Sequence, residues 1–257
     1  MTAIIPARYA STRLPGKLLL PIAGKPLIIH TLEQTLKSKL VGRVIVAADD
    51  ERIIDAVTAF GGEAVMTSAK HRSGSDRVAE VAAGLPAGSI VVNVQGDEPT
   101  ISPATIDAAV EAMIADEQCD IATTCERIDD PSDVLSPDVV KVVTDSRGYA
   151  LYFSRSPVPF PREAVSRAGS LDNAFKNEPK LLSDFRKHTG LYVYRREYLL
   201  EFCRMPQTFL ETTEMLEQLR ALENGARIRV VEVSESSIGV DNAEDLERVR
   251  RIIENYG

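Results

Sequence analysis

The sequence TAIIPARYASTRLPGK occupies residues 2–17 and decides how the fold begins. Its apolar run at residues 2–5 is too short for a helix and stops at Pro6, so we predict a short strand. The loop that follows carries three cations and two hydroxyl groups: Arg8, Arg13, Lys17, Ser11 and Thr12. Ligands of open α/β sheets bind beyond the carboxyl ends of the strands, and guanidinium and ammonium groups suit the oxygens of a triphosphate. The stretch therefore predicts an anion cradle; a solvated basic turn is the alternative.

Short β-rich runs alternate with helical patterns along the first half of the chain. In order, the patterns predict a helix at 27–36, a strand at 43–48, a helix that ends at Gly61-Gly62, a strand at 63–66, a helix at 76–83 and a strand at 89–94. Strand–helix–strand units of this kind pack as a parallel sheet with helices on both faces. We therefore predict an α/β fold with a mostly parallel, doubly wound, Rossmann-like sheet.

The second half of the chain is less regular. Strand patterns at 139–144 and 149–155 flank a polar turn and predict a hairpin. Residues 157–184 hold four prolines and many charges with little periodicity, which indicates a long surface excursion or a flap. The other patterns predict helices at 103–117, 196–203 and 210–223, strands at 121–125, 188–194 and 227–233, and a last helix that starts at Asn242. We expect a single domain, 1–257, with an excursion at about 145–205.

Composition limits the possible functions. The 257 residues are 44% hydrophobic, and a net charge of -8 argues against general binding to nucleic acid or anionic membranes. The cysteines Cys119, Cys125 and Cys203 form no C-x-x-C pair and lie far from any histidine, so neither zinc nor a disulfide framework is predicted. The sequence contains no run of 18 apolar residues and no signal peptide, so we expect a soluble cytoplasmic protein without a membrane span. P-loop and dinucleotide-binding glycine motifs are also absent.

Two carboxylates stand where a hard cation would be held. Asp97 follows a predicted strand within QGDEP, where Gly96 leaves the backbone open to a ligand. Asp241 follows Gly239 at the mouth of the last helix. Since Mg²⁺ usually binds one or two carboxylates together with substrate phosphates and waters, both residues are candidate magnesium ligands. An Asp in a βα turn and an Asp near a helix N-cap are the alternatives.

A polar pocket is a further candidate site. Its residues share one face of a strand or have helical spacing on one face of a helix: His188, Gly190 and Tyr192, and Glu211, Glu214 and Gln218. A solvated strand edge and helix face are the alternative interpretation.

Six motifs in order resemble the 3-deoxy-manno-octulosonate (Kdo) cytidylyltransferases, a nucleotidyltransferase family. They are IIPARYASTRLPGK at 4–17, VNVQGDEP at 92–99, ALYFSR at 150–155, HTGLY at 188–192, MLEQLR at 215–220 and GVD at 239–241. The resemblance implies transfer of CMP from CTP to Kdo with Mg²⁺, for lipopolysaccharide inner-core assembly in the bacterial cytoplasm, by a homodimer. The segment from Arg162 to Asp184 departs from the family pattern by its length.

The resemblance also implies roles for single residues. Arg8 and Lys17 would hold the triphosphate, and Asp97 and Asp241 would bind Mg²⁺. The residues implied to read the cytidine are Ala10, Ser11, Thr12, Ser73, Gly74 and Arg77. Those implied to bind the sugar are Gln95, Arg155, His188, Tyr192, Glu214, Glu217 and Gln218.

Two other functions stay open at this point. A cytidylyltransferase for another acidic sugar, such as a sialic acid or 8-amino-Kdo, would share the first loop and differ in the sugar pocket. A non-catalytic nucleotide-binding module would require loss of a metal carboxylate or of Lys17, and the sequence retains all three residues.

Overall fold

The computed structural model describes residues 1–11 and 14–256, so the predicted cradle residues Thr12 and Arg13 lie outside the described part. The strands are β1 (Thr2–Ala7), β2 (Pro21–Ile22), β3 (Lys25–Pro26), β4 (Arg43–Ala48), β5 (Glu63–Met66), β6 (Ile90–Asn93), β7 (Ile121–Arg127), β8 (Lys141–Thr144), β9 (Ala150–Ser154), β10 (Arg186–Arg195) and β11 (Ile228–Glu232). The helices are α1 (Leu27–Leu36), α2 (Glu51–Ala59), α3 (Gly74–Ala82), α4 (Pro103–Ala115), α5 (Pro131–Leu135), α6 (Arg162–Ala168), α7 (Leu171–Asn177), α8 (Arg196–Phe202), α9 (Phe209–Glu214), α10 (Glu217–Glu223) and α11 (Ala243–Tyr256). Short 3₁₀ helices occupy Lys17–Leu19 and Pro179–Asp184.

A mixed sheet organises the described residues. Its nine strands include the path β11-β7-β10-β6-β1-β4-β5, and the hairpin β8–β9 joins it through β10. The pairs β1–β4, β1–β6, β4–β5 and β7–β11 are parallel, whereas β10 runs antiparallel to β6 and β7. The predicted α/β fold with a mostly parallel sheet is confirmed, as is the hairpin.

Two apolar clusters cover the two faces of the sheet. One contains Ile5 with side chains of α1, α2, α4 and α11, and the other contains Ile4 with side chains of α3, α8 and α10. Neighbouring residues of a strand point to opposite faces, which is why Ile4 and Ile5 belong to different clusters. The sheet is therefore wound on both faces, as predicted.

The first strand continues through Pro6, where the sequence predicts its end. The Ile4 carbonyl faces β6 and accepts Val94 N–H, so Pro6 also faces β6, whose last strand residue is Asn93. The missing N–H of Pro6 therefore costs no ladder bond. On the other side, the ladder continues until Asp49 N–H donates to Ala7 at 3.3 Å. The anion-cradle loop consequently starts at Arg8, beyond the sheet.

Residues 157–184 contain more regular structure than their composition predicts. α6 ends at Gly169, which has a φ of 82°, and Ser170 caps α7 by accepting Asn173 N–H at 3.1 Å. Phe175 packs edge to face on Phe185 at 5.5 Å in a separate small apolar cluster. Helices of seven residues are too short to give a clear period in a sequence window, which explains the missed assignment.

The predicted helix at 210–223 is wrong, because it is two helices that break at Met215. Met215 adopts a left-handed conformation with φ 55° and is 77% exposed. The Arg155 guanidinium donates to the carbonyls of Glu214 at 2.7 Å and Met215 at 3.4 Å, which satisfies groups left over at the helix end. Glu211, Glu214 and Gln218 therefore do not share one helix face.

The last helix begins as predicted. Asn242 accepts Asp245 N–H at 2.9 Å, and the Asp245 carboxylate accepts the N–H of Asn242 at 3.2 Å. This reciprocal cap fixes the chain just after Asp241. Among the described residues, no helix combines the length and apolar composition needed to cross a membrane.

Candidate active site

A cavity of about 330 Å³ lies at the carboxyl ends of β1 and β6, beside the first turn of α3. Nine predicted site residues line it: Arg8, Ser11, Lys17, Ser73, Gly74, Arg77, Gln95, Asp97 and Asp241. Ala10 is exposed on the loop next to Ser11 and does not contribute to this lining. The structure thus brings the predicted triphosphate and metal residues into one space with four of the predicted cytidine residues, Ser11, Ser73, Gly74 and Arg77.

Lys17 joins the two predicted metal carboxylates. Its Nζ lies 2.6 Å from an Asp97 oxygen and 3.5 Å from an Asp241 oxygen, and it donates to the Val240 carbonyl at 2.7 Å. The Lys17 side chain is 12% exposed. The Val240 N–H also donates to the Asp97 carbonyl at 2.9 Å, so the two segments are held side by side. Two carboxylates distant in sequence therefore meet at one cation.

Gly96 serves close packing, in addition to lining the cavity. A Cβ at this position would lie 2.9 Å from the Pro6 carbonyl and 3.2 Å from Ile28 Cδ1. The segment that carries Asp97 can cross the end of β1 only without a side chain here. This packing is a physical reason for Gly96 that the sequence-based expectation of an open backbone did not include.

The first turn of α3 forms one wall of the cavity. Ser73 caps this helix by accepting Asp76 N–H at 3.2 Å, and Gly74 follows directly. The N-terminus of a helix presents free N–H groups and partial positive charge, which favour an anion. His71 and the exposed Arg72 also line the cavity, although we did not predict them. The run Lys70-His71-Arg72 before a capping serine is the signal that could have identified them.

Arg77 reaches the cavity wall, but its guanidinium is already engaged. Nη1 donates to Thr67 Oγ1 at 2.5 Å, and Nη2 donates to Asp49 at 3.0 Å. The assignment of Arg77 to the cytidine stays a prediction, and these bonds give it a second, structural task.

One predicted sugar-binding residue lines the cavity, and two others, Glu217 and Tyr192, lie on elements that contact α3 and β6. Gln95 lines it and donates to the Gly190 carbonyl at 3.2 Å. Glu217 accepts the Ser75 hydroxyl at 2.8 Å, which ties α10 to the first turn of α3. Burial, with a smaller effect of the Glu217 charge, raises the pKa of Tyr192, so this tyrosine keeps its proton. A polar compartment that contains Gln95, Ser75, Glu217 and Tyr192 therefore adjoins the cavity at Gln95.

His188 is a neutral member of this compartment. Its Nε2 lies 2.9 Å from Thr123 Oγ1, and that hydroxyl donates its single hydrogen to the Leu191 carbonyl at 2.6 Å. Nε2 therefore carries the proton and donates to Thr123, which leaves Nδ1 as an acceptor. Burial lowers the pKa of His188 to about 3, and its ring packs edge to face on Phe153 at 4.9 Å.

Arg155 and Glu214 hold each other rather than face the cavity. The Glu214 carboxylate accepts Ser154 Oγ at 2.7 Å and the Arg155 N–H at 2.9 Å. The Arg155 guanidinium donates to backbone carbonyls, including Pro137 at 2.7 Å. Neither side chain lines the cavity, so their sugar-binding roles stay predictions.

Gln218 is 5% exposed and also lies outside the cavity lining. Its neighbour Arg220 forms a two-pronged ion pair with Glu211, at 2.9 and 2.8 Å, and covers the Phe202 ring. Glu211 thus has a packing role, because breaking a buried ion pair leaves an uncompensated charge.

Glu98 is a second feature that we did not predict. Burial, together with the neighbouring Asp97 charge, raises its pKa to about 7. The Glu98 carboxylate approaches the backbone at Gly190, the strand position between His188 and Tyr192. The QGDEP motif predicted only Asp97 as a site residue, because the sequence does not show which of two adjacent carboxylates is buried.

The donor set suits a divalent cation completed by a ligand. Asp97 and Asp241 converge within reach of one ammonium group, and Mg²⁺ commonly uses two carboxylates with phosphate and water oxygens. Among residues 1–11 and 14–256, no group of three or more His, Cys, Asp or Glu residues could hold a metal.

The fold and this cavity define a class of enzyme, the cytidylyltransferases. A family model described as "Cytidylyltransferase" matches residues 2–228, which include β1, β6 and every cavity residue except Asp241. A cytidylyltransferase from Leptospira borgpetersenii has a TM-score of 0.61 at 16% identity, over 98% of this chain and 86% of that chain, and shows the shared fold alone.

Relatives with higher sequence identity indicate the particular family. The 3-deoxy-manno-octulosonate cytidylyltransferase of Geotalea daltonii is 56% identical over 257 residues, 100% of this chain and 99% of that protein. The protein of the same name from Trichlorobacter lovleyi is 55% identical over 250 residues, 97% of each chain. A solved CMP:2-keto-3-deoxy-manno-octonic acid synthetase, complexed with CTP, has a TM-score of 0.89 at 41% identity, over 100% of this chain and 99% of that chain. The chain belongs to the 3-deoxy-manno-octulosonate cytidylyltransferase family.

Proposed function

We propose that this chain transfers CMP from CTP to 3-deoxy-manno-octulosonate and releases pyrophosphate. The observation that carries the proposal is the convergence of Lys17, Asp97 and Asp241 in a cavity bordered by Arg8 and the start of α3. Family membership supports the choice of CTP and Kdo, since relatives of the same name share more than half of the sequence. The product would supply activated Kdo for the lipopolysaccharide inner core.

The chemical step is an in-line displacement at the α-phosphorus of CTP. The anomeric hydroxyl oxygen loses its proton to water and forms a bond to phosphorus, while the bond to the bridging oxygen of the β-phosphate breaks and pyrophosphate leaves with the electron pair. The protein has little covalent work in such a reaction beyond positioning and charge neutralisation. Arg8 and Lys17 would bind the triphosphate, and the N–H groups at Gly74 would face its anionic or cytidine oxygens.

Asp97 and Asp241 would hold Mg²⁺ in this proposal, because both carboxylates already meet at Lys17 Nζ. When bound, the ion supplies charge for the phosphate oxygens and lowers the pKa of the attacking hydroxyl. Lys17 would then turn from the carboxylates toward the phosphates.

Kdo would occupy the polar compartment beside the cavity. Its carboxylate and hydroxyls need donors and acceptors of fixed direction, and Gln95, neutral His188 and the Ser75–Glu217 pair provide them. Sites that hydrogen-bond a substrate reject analogues without those groups, because buried partners are left unpaired.

The decisive experiment measures pyrophosphate release with CTP and Mg²⁺ across Kdo, 8-amino-Kdo, N-acetylneuraminate and a neutral ketose. We expect Kdo to be used far better than the others, with CMP-Kdo identified by ³¹P NMR. Comparable turnover of N-acetylneuraminate would favour the sialic acid alternative, and a preference for 8-amino-Kdo would identify that sugar instead. Binding of CTP without turnover of any sugar would leave only a nucleotide-binding module.

We also propose a homodimer in the cytoplasm. Large apolar side chains are exposed around the hairpin and α9: Leu151 is 63%, Phe160 58% and Phe209 75% exposed. These elements adjoin, since Glu214 of α9 bonds Ser154 of β9. A second copy would cover such a surface. Light scattering after size exclusion tests this: a mass of one chain would contradict the dimer, and Leu151→Asp with Phe209→Asp should shift a dimer toward monomer.

A further inference from the structure

Asp49 links three strand ends to the cradle loop. Its backbone N–H extends the β1–β4 ladder to Ala7, and its side chain then reaches beyond the end of β1. There, one carboxylate oxygen accepts the Tyr9 N–H at 2.8 Å. The carboxylate thereby continues, past the sheet, a ladder that the backbone of β4 no longer provides.

Arg77 fixes Asp49 from the opposite side. Its Nη2 donates to the other Asp49 oxygen at 3.0 Å, and the two side chains are 5% and 14% exposed. Nη1 donates to Thr67, whose hydroxyl donates to the Ala48 carbonyl at 2.8 Å. The ends of β1, β4 and β5 and the first turns of α3 are therefore joined by one chain of polar contacts. Little freedom remains for the Asp49 side chain.

Tyr9 passes this restraint to the catalytic cations. It follows Arg8, and its ring packs beneath the Arg52 guanidinium, 3.4 Å from the ring centroid. Its hydroxyl lies near Gly16, where a Cβ would be 3.3 Å away, and Gly16 adopts a φ of 64° directly before Lys17. Tyr9 thus contacts the loop just before the 3₁₀ helix that carries Lys17. A shift of Tyr9 would move both Arg8 and Lys17.

We propose that Asp49 is a positioning residue for nucleotide binding, which acts through Tyr9 on the loop that carries Arg8 and Lys17. The inference rests on the proposed function, because it takes CTP as the ligand of that loop. Arg77 has a supporting task in this arrangement: it holds Asp49 rather than presenting a free cation to the cytidine. Asp49 does not line the cavity, so its effect falls on CTP binding and not on turnover at saturation.

The test compares Asp49→Ala with Asp107→Ala. Asp107 is a matched control, since its carboxylate also accepts loop N–H groups, from Lys39 and Leu40, but away from the cavity. Calorimetry gives the Kd for CTP, steady-state kinetics separate KM from kcat, and hydrogen exchange reports the Tyr9 amide. If the variant must order the backbone of one residue when CTP binds, the free-energy cost corresponds to a roughly 5- to 30-fold change in the binding constant.

We expect Asp49→Ala to raise the Kd and KM for CTP by that factor, with kcat changed by less than about 3-fold and faster exchange at Tyr9. Asp107→Ala should lower the melting temperature and leave the Kd unchanged. An unchanged Kd in a folded Asp49→Ala, or an equal change in both variants, would overturn the proposal. Tighter CTP binding would also overturn it, because a released Arg77 would then serve the triphosphate better than the ordered loop does.

A second variant decides the matter if Asp49→Ala does not fold. Asp49→Asn keeps the shape and an oxygen for Tyr9 but loses the charge that holds Arg77, so CTP binding should weaken by about 3-fold or more. An unchanged Kd in this variant would overturn the proposal. Failure of the wild-type protein to bind CTP would instead refute the proposed function, and the positioning role would fall with it.

Discussion

Replacement of Lys17 by methionine should have opposite effects on metal binding and on turnover. The Lys17 ammonium holds oxygens of Asp97 and Asp241 that a divalent cation would need. A charge-assisted hydrogen bond contributes about 1.5 to 3 kcal/mol, and the 12% exposure of Lys17 limits solvent screening of its 2.6 Å contact with Asp97. Since each 1.4 kcal/mol is tenfold in Kd, Lys17→Met should bind Mn²⁺, without nucleotide, about 10- to 100-fold more tightly than wild type.

In the proposed reaction, the same substitution removes a charge from the transition state. Loss of a preorganised donor costs about 2 to 4 kcal/mol, so kcat/KM for CTP should fall by roughly 30- to 1,000-fold. Electron paramagnetic resonance of free Mn²⁺ measures the first effect, and pyrophosphate release measures the second. Lys25→Met is the control, because Lys25 pairs with Glu33 at 2.6 Å on the surface. Equal Mn²⁺ affinity in Lys17→Met and wild type would refute the idea that ammonium and metal compete for the same oxygens.

Three further predictions follow from the site and its surroundings. Asp97→Asn and Asp241→Asn should each nearly abolish turnover, and the double variant should be little worse than either, as expected for groups that act as one unit; near-normal activity of a folded Asp241→Asn would remove that residue from the metal site. Burial lowers the pKa of His188 to about 3 in the folded chain, against about 6.5 unfolded, so its contribution to stability is complete above pH 6.5 and is lost as pH falls from 6.5 to 3. Urea unfolding of wild type at pH 7.5 and 5.0 should show a loss of about 1 to 2 kcal/mol from this group, and an equal pH slope in His188→Gln would contradict the assignment. Gly96→Ala would place a Cβ 2.9 Å from the Pro6 carbonyl and should destabilise the fold by about 1 to 3 kcal/mol, whereas Gly84→Ala meets only an ordinary 3.6 Å contact and should change stability by less than about 0.5 kcal/mol.

The regular half of the fold could be predicted because its signals are local. The bounds of β4 and β5 agree with the sequence patterns, since the apolar run of β4 ends at Asp49 and β5 begins directly after Gly61-Gly62. The cap formed by Asn242 and Asp245 could also be predicted from the sequence, because both partners lie within one helical turn. Such elements depend on neighbours a few residues away.

The secondary-structure predictions are wrong where residues distant in sequence determine the local structure. The break at Met215 has no Gly or Pro to announce it, and it depends on carbonyl contacts with Arg155, about 60 positions away. Pro6 marks a strand end only when the strand on its N–H side is long, and β6 is short.

The candidate site shows the same division. Motifs identified the cavity residues of the first loop, QGDEP and GVD, because these segments carry their chemistry in adjacent positions. The sequence did not predict Asp49 as a site residue, because an Asp at this place is typical of a helix start. Its partners Tyr9 and Arg77 lie 40 and 28 positions away. Sequence likewise could not show that Arg155 and Glu214 bind each other.

The contact between Lys17 and Val240 joins residues 223 positions apart in the chain. A protein with such long-range closures folds slowly, because the entropy of closing large loops is lost before the contacts form. During synthesis, the first strands and the predicted anion-cradle loop emerge long before Asp241 can reach them. The nascent chain can therefore build most of its sheet while the candidate active site is still incomplete. Appearance of activity during refolding should follow the docking of α11, later than the burial of the central strands.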